Sequence, residues 1–332
     1  MTTDLAKHDP AAPEPIVPDA LELEGESRIE GRTPLQLAWA KLRRDKVAMV
    51  SLVVIAIIII LALAAPLVAS LVGHGPDDQY RQAGLTPAGL PKPPTGQFIM
   101  GTDDLGRDLF VRIIYGSRIS LLVGVLSTLI AVAVGVVIGI VAGYFGGIVD
   151  TVLARLIDTV LSIPFLLAAI AIVSISGPSL TVTVIVIAFF SWSSVARIVR
   201  GQVLSIRERE YVEAARSLGA SDRRIMFVDI LPNVLAPVIV YTTLLIPISI
   251  VSEATLSFLG LGVPPPTATW GGMLDGSLNY YRVAYWYLLF PGLALLITTL
   301  AFNLFGDGVR DAFDPRSDRL FATESETEDE KK

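Results

Sequence analysis

Long charge-free runs set the pattern of the chain. Five of them, 47–76, 119–149, 159–196, 230–252 and 283–306, contain no Asp, Glu, Lys or Arg. A bilayer core of about 30 Å takes about 20 helical residues, so each run is long enough to cross one. The third holds 38 residues, too many for one span at about 1.5 Å of rise per residue. Ser176-Gly177-Pro178-Ser179 interrupts it with a turn signal. Dividing it there predicts spans near 159–176 and 180–196 and a total of six.

The first run is the most apolar. From Val47 to Val72, sixteen residues are Val, Ile or Leu, each favouring the bilayer centre by about 0.3–0.6 kcal/mol. Pro66, Pro164, Pro247 and Pro291 fall within or at the edges of spans. A helix bundle tolerates them because neighbouring helices satisfy the freed carbonyls. Gly124, Gly135, Gly139 and Gly143 recur in the second span. The last three share one helical face, which favours close approach of another helix. The expected class is an all-α polytopic membrane protein with six transmembrane helices.

Composition agrees. Of 332 residues, 52% are hydrophobic and 17% charged, against about 25% charged in a typical soluble domain. Cysteine is absent, which excludes disulfides and thiolate metal sites. His8 and His74 are too far apart in sequence to suggest a metal cluster. The net charge of −6 comes mostly from the ends, with nine acids in 1–46 and nine in 307–332. Residues 1–34 read as a disordered acidic tail, because they have too little apolar surface to offset chain entropy. Residues 313–332 read as a second acidic tail. The apolar stretch from Val47 is too late and too long for a secretory signal.

Lys and Arg orient the bundle. With the N-terminus inside, the cytoplasmic segments carry 20 of the 26 basic residues and the outer segments carry Arg81, Lys92, Arg107, Arg112, Arg118 and Arg282. Lys41, Arg43, Arg44 and Lys46 abut the first span, where the positive-inside rule acts most strongly. Six spans return the C-terminus to the cytoplasm.

The outer segment 73–118 divides in two. Its proline-rich first part reads as an irregular loop. In the second, Thr102 or Asp103 is placed to cap a helix, with Leu105, Leu109, Phe110, Ile113 and Ile114 on one face. Asp103/Arg107 and Asp108/Arg112 are spaced as i,i+4 pairs on the other. This predicts an amphipathic helix on the outer interface, with the chain turning inward at Arg118. In the outer segment 259–283, prolines 264–266 stiffen the backbone and Gly271-Gly272 allow sharp turning. Trp270, Tyr280, Tyr281, Tyr285, Trp286 and Tyr287 read as an interfacial aromatic belt.

The largest cytoplasmic loop, 197–232, carries seven arginines. A helix over about 207–218 is predicted to stop at Gly219, the residue type favoured at a left-handed terminus. Ser221 then caps a second helix, and Pro232 marks the start of the fifth span. Ala214, Ala215, Gly219 and Ala220 are small side chains around this corner, which let another protein approach its backbone closely.

Glu213-Ala214-Ala215, three residues, Gly219, and later Ile230-Leu231-Pro232 resemble the EAA signature of bacterial ABC importer permeases. Asp229 departs from that pattern, which has an aliphatic residue there. Residues 101–108, continuing from Gly116 to Leu121, resemble the outer motif of the C-type permeases of dipeptide and oligopeptide importers. Residues 256–266 with Trp270-Gly271, and residues 306–315, resemble the same group. The likeness covers about 35–320.

The resemblance implies a type I importer permease fold, with a first helix and outer segment in 35–118 and a five-helix core in 119–312. It implies a coupling helix around 210–221, with Glu213, Ala214, Ala215, Gly219, Ala220 and Ser221 at the contact with an ATPase. It also implies the outer-face motif Gly101, Asp103, Gly106, Arg107 and Asp108. The implied partners are a second related permease, two ATP-binding subunits and an extracytoplasmic peptide-binding protein, in a bacterial cytoplasmic membrane. Peptide is the implied substrate, although the same pattern serves nickel and glutathione importers. The chain lacks a Gly-x-x-x-x-Gly-Lys-[Ser/Thr] phosphate loop, so ATP and Mg are expected on partner subunits. No enzymatic activity, bound cofactor or nucleic-acid partner is expected of this chain.

Glu253 is the one acid well inside a predicted span, and an intramembrane ionisable group is a functional candidate. It is the candidate pathway residue. The same residue defines the rival class, a proton-coupled secondary transporter. Such carriers typically show internal repeats and broken helices around a midplane site, and no repeat is legible here.

Overall fold

The computed structural model describes residues 34–314. Apart from their inner edges, the tails expected over 1–34 and 313–332 lie outside the described residues. α1 (Pro34–Leu42) precedes the first span and packs Ala38 and Leu42 against Ala48, Val309 and Ala312. α2 (Lys46–Leu63) starts where the Asp45 carboxylate accepts the backbone N–H groups of Val47 (2.8 Å) and Ala48 (3.2 Å), satisfying two of the orphan donors of a helix start. α3 (Ala65–Val72) continues it to Gly73, whose φ of +78° ends the run.

A single turn, α4 (Arg81–Gly84), lies in the outer segment. α5 (Leu109–Phe145) is the long central helix. At 37 residues it extends about 55 Å, well beyond a bilayer core on its own. α6 (Gly147–Ser162) and α7 (Phe165–Ser176) meet at an 84° bend beside Pro164. α8 (Leu180–Ile206) begins at Ser179, whose hydroxyl accepts the Val182 N–H. α9 (Glu210–Ser217) is a short helix leading to the corner at Gly219. α10 (Asp222–Arg224), a π-helical turn (Ile225–Ile230) and α11 (Leu231–Phe258) run on as one helix from Asp222 to Phe258. α12 (Trp270–Ser277) and α13 (Tyr285–Phe313) complete the chain.

Among the described residues the fold is helical, with two isolated β-bridges and no strand. Among the described residues, five helices are long and apolar enough to cross a membrane, and counting the bent α6/α7 pair as one span makes six. Outward-facing apolar side chains such as Val50, Ile60 and Leu63 on α2 are well exposed, as suits contact with lipid tails.

The glycine face of α5 seats α8. A Cβ on Gly135, Gly139 or Gly143 would stand 2.6–2.7 Å from the Cβ of Val195, Val199 or Val203. Only glycine permits backbones this close, and the dispersion contacts so gained hold the pair. Trp192, Val195, Ala196, Val199 and Val203 of α8 join Ile157, Val212, Ile225 and Ile230 in one buried cluster. That cluster extends from the α5/α8 contact to the corner around Gly219.

Two expectations need correction. The amphipathic outer helix is absent: α5 starts at Leu109, capped by Asp108 rather than Thr102 or Asp103, and runs straight through Arg118. α6 starts at Gly147, and its charges pair across to α8. Asp150 meets Arg200, and Asp158 meets Arg197 at 2.7 Å. Within 197–232, α8 runs on to Ile206 and a continuous helix starts at Asp222, with 207–221 between them. The aromatic belt is only partial, since Trp270, Trp286 and Tyr287 are buried while Tyr281 and Tyr285 remain exposed.

Candidate functional site

α8 gives way to a turn at Arg207–Arg209 and then to α9. Val212 is the buried anchor of α9, packed with Ile225 and Ile230. Burying one apolar face leaves the other turned outward, with Tyr211, Glu213 and Ala214 exposed and Ala215 half-buried. α9 ends through Leu218 N–H to Ala214 O, Gly219 N–H to Arg216 O and Ala220 N–H to Ala215 O, each 3.0 Å. Gly219 has φ +79° and no atom within 4 Å of where its Cβ would stand. The requirement for glycine there is conformational, not a matter of space. Ser221 Oγ accepts the Arg224 N–H and starts the next helix.

Glu213, Ala214, Ala215, Gly219, Ala220 and Ser221 therefore share one protruding corner. Glu213 has no ion pair among the described residues, and Leu218 is 88% exposed at the tip. An unpaired carboxylate and an uncovered leucine on a corner braced from behind suit a surface that meets a partner. An open cavity of about 520 Å³ beside it is lined by Tyr144, Phe145, Arg207, Glu208, Glu213, Arg216 and Asp222.

Sequence reasoning missed the brace behind this corner. Tyr144, on the last turn of α5, donates its hydroxyl to Asp222 Oδ1 at 2.7 Å, and the Arg216 guanidinium stands 5.7 Å from its ring centroid. Arg207 Nη1 donates to Gly143 O at 3.0 Å. The only signal in the sequence was a tyrosine closing an apolar run. The π-turn ends at Ile230, two residues before Pro232, which has no N–H to give and whose ring crowds the carbonyl four residues back. Asp229, the departure from the signature, lies in that turn with Oδ2 buried and unpartnered.

Gly101, Asp103, Gly106, Arg107 and Asp108 form a tight loop against the start of α5. Gly101 and Gly106 hold φ of +79° and +76°. Asp103 accepts the N–H groups of Leu105 (3.0 Å) and Arg107 (2.9 Å) and the Arg107 Nε (2.6 Å). Asp108 caps α5 and lies 2.6 Å from His74 Nδ1. Arg112 donates to Pro76 O, Asp77 and Pro266 O, and Tyr287 donates to Asp104 at 3.1 Å. Most of these charges are buried and mutually paired, so the motif fastens the outer segment to α5 and α13.

Glu253 is fully buried. Its carboxylate accepts Ser120 Oγ of α5 at 2.9 Å and Ser257 Oγ at 2.7 Å. It lines no open surface in this conformation and instead joins the outer end of α11 to α5.

Comparison with known proteins adds to this geometry. Residues 135–319 match the family described as binding-protein-dependent transport system inner membrane component. Residues 33–91 match the N-terminal TM domain of oligopeptide transport permease C. The di/tripeptide transport system permease protein DppC of Pseudomonas aeruginosa (strain UCBPP-PA14) is 43% identical over 284 residues, which are 86% of this chain and 93% of the relative. The dipeptide transport system permease protein DppC of Escherichia coli (strain K12) is 44% identical over 86% of this chain and 94% of its own. Among solved structures, a chain of the MetNI methionine ABC transporter in inward-facing conformations aligns with a TM-score of 0.50 and 18% identity. It covers 61% of this chain and 96% of that one, and the likeness is one of fold.

Proposed function

The chain belongs to the family of binding-protein-dependent transport system inner membrane components, and from that premise we propose that it moves di- or oligopeptides inward, driven by ATPase subunits seated on the corner at Gly219. The chain is a multi-pass inner-membrane permease. Peptide as cargo rests on the names of relatives at 43–44% identity. The corner carries the coupling reading: its recognition residues face outward while Val212 and Tyr144 hold it from behind.

In this account ATP binding closes two ATPase subunits, which use the nucleotide with Mg and push on α9. The push passes through Asp222 and the π-turn into α11. A second, homologous permease completes the pathway, and an extracytoplasmic binding protein delivers peptide to the outer face. Both termini lie in the cytoplasm, consistent with Arg and Lys concentrated on that side. Glu253 serves the pathway indirectly, by tying α11 to α5 at their outer ends.

The absence of cysteine makes a direct test simple. Cysteine placed at Ala214 should cross-link to an ATPase subunit of the assembled complex, and the yield should change when ATP is added. Cross-linking that is absent at Ala214 but present from the outer loop 259–269 would overturn the assignment.

A further inference from the structure

The cytoplasmic corner hangs on two arms, α9 before Gly219 and the helix from Asp222 after it. Backbone hydrogen bonds of residues 208–224 are all local, so none fixes the corner to another span. Apolar packing of Val212 and Ile225 holds it in place, but such packing is non-directional. The directional fastening comes from side chains, and Tyr144 is the one that reaches both arms. Its hydroxyl donates to Asp222 on the second arm at 2.7 Å, and its ring faces Arg216 on the first. Tyr144 itself is buried, and it sits one residue from the end of α5.

α5 is the helix against which α8 is seated through Gly135, Gly139 and Gly143, and it reaches Glu253 of α11 through Ser120. A force on the corner that reached Tyr144 would therefore be felt along the centre of the bundle. Gly143, the residue before Tyr144, also receives Arg207 through its carbonyl, so the last turn of α5 is gripped from both ends of the loop.

We propose that Tyr144 is a positioning residue for transport, a latch whose hydrogen bond to Asp222 keeps the ATPase-docking corner in register with α5, so that nucleotide-driven movement of the corner is transmitted to the pathway. This rests on the coupling reading above and adds to it a specific transmitting contact. Arg216 stacked on the ring holds the first arm, and Asp222 holds the second, so the corner moves with α5 as one body. Without the hydroxyl, the corner still docks the ATPase but turns without carrying α5.

The test is the ratio of peptide transported to ATP hydrolysed, measured with the full complex in proteoliposomes. Tyr144→Phe keeps the ring over Arg216 and removes only the hydroxyl. It should leave ATPase co-purification intact and lower transport per ATP by about tenfold, the scale of a lost hydrogen bond to a charged acceptor. Asp222→Asn keeps an accepting Oδ1 and should retain most of the coupling, whereas Asp222→Ala should match Tyr144→Phe. The double variant Tyr144→Phe/Asp222→Ala should be no worse than either single one. Wild-type coupling in Tyr144→Phe, additive losses in the double variant, or losses that follow ATPase detachment would each overturn the latch. If wild-type complex itself showed no ATP-dependent uptake, the coupling reading would fail first, which is a separate result.

Discussion

Replacing Gly219 separates backbone conformation from steric fit. The residue holds φ +79°, and a Cβ there would meet nothing within 4 Å. Any loss on substitution must therefore come from forcing an L side chain into the left-handed region. That costs about 1–2 kcal/mol for alanine, which lowers the population of the intact corner by a factor of roughly 5 to 30. Asparagine enters this region more readily than other non-glycine residues and should cost less. Valine, β-branched, should cost more. Expected ATP-dependent uptake therefore falls in the order Gly, Asn, Ala, Val, although Asn is larger than Ala. The assay is initial uptake of labelled peptide into proteoliposomes at matched protein levels, with co-purified ATPase measured in parallel. An order that follows side-chain volume, with Asn worse than Ala, would refute the reasoning by showing that the ATPase surface, not the φ angle, excludes the side chain.

Two further outcomes follow from packing and charge. Gly139→Val places a Cβ 2.7 Å from Val199 Cβ and 2.8 Å from Ala196 O, so α5 and α8 must part or strain at about 1–3 kcal/mol or more; the melting temperature of the purified protein should fall, and an unchanged value would contradict close backbone contact as the seat of that interface. Asp150→Asn removes one partner of a pair in which Arg200 grips both carboxylate oxygens and should cost about 1.5–3 kcal/mol. Asp158→Asn breaks a pair that is more than half exposed on both sides and should cost about 0–1 kcal/mol, so equal melting shifts for the two would refute the ranking.

Spans were legible where apolar runs ended in local signals. Gly177 and Ser179 separate α7 from α8 as their sequence suggests, because caps and turns depend on neighbours in the chain. Gly219 and Ser221 were legible for the same reason. The start of α6 was not, because the sequence displays the charges of Asp150 and Asp158 but not the arginines 39 and 50 residues away that pair with them. α5 was read as beginning ten residues late for a similar reason. Arg112 looks like a surface charge until Asp77, Asp103 and the carbonyl of Pro266 are brought around it. Trp270 looked interfacial, yet its indole N–H reaches Ile113 O inside the bundle. The latch at Tyr144 depends on a contact across 78 residues of sequence, which no local pattern encodes. The coupling corner was therefore visible as a shape, while what fastens it to the bundle was not.

The central claim is that this permease carries peptide at the expense of ATP hydrolysed by its partners. Reconstituted with its second permease, ATPase subunits and binding protein, the complex should accumulate labelled dipeptide inside vesicles only when the ATPase sites can reach ATP and the binding protein is on the opposite face. A pH gradient alone should drive nothing. Uptake driven by a pH gradient without nucleotide, and lost on Glu253→Gln, would contradict the account and make the buried carboxyl a proton carrier.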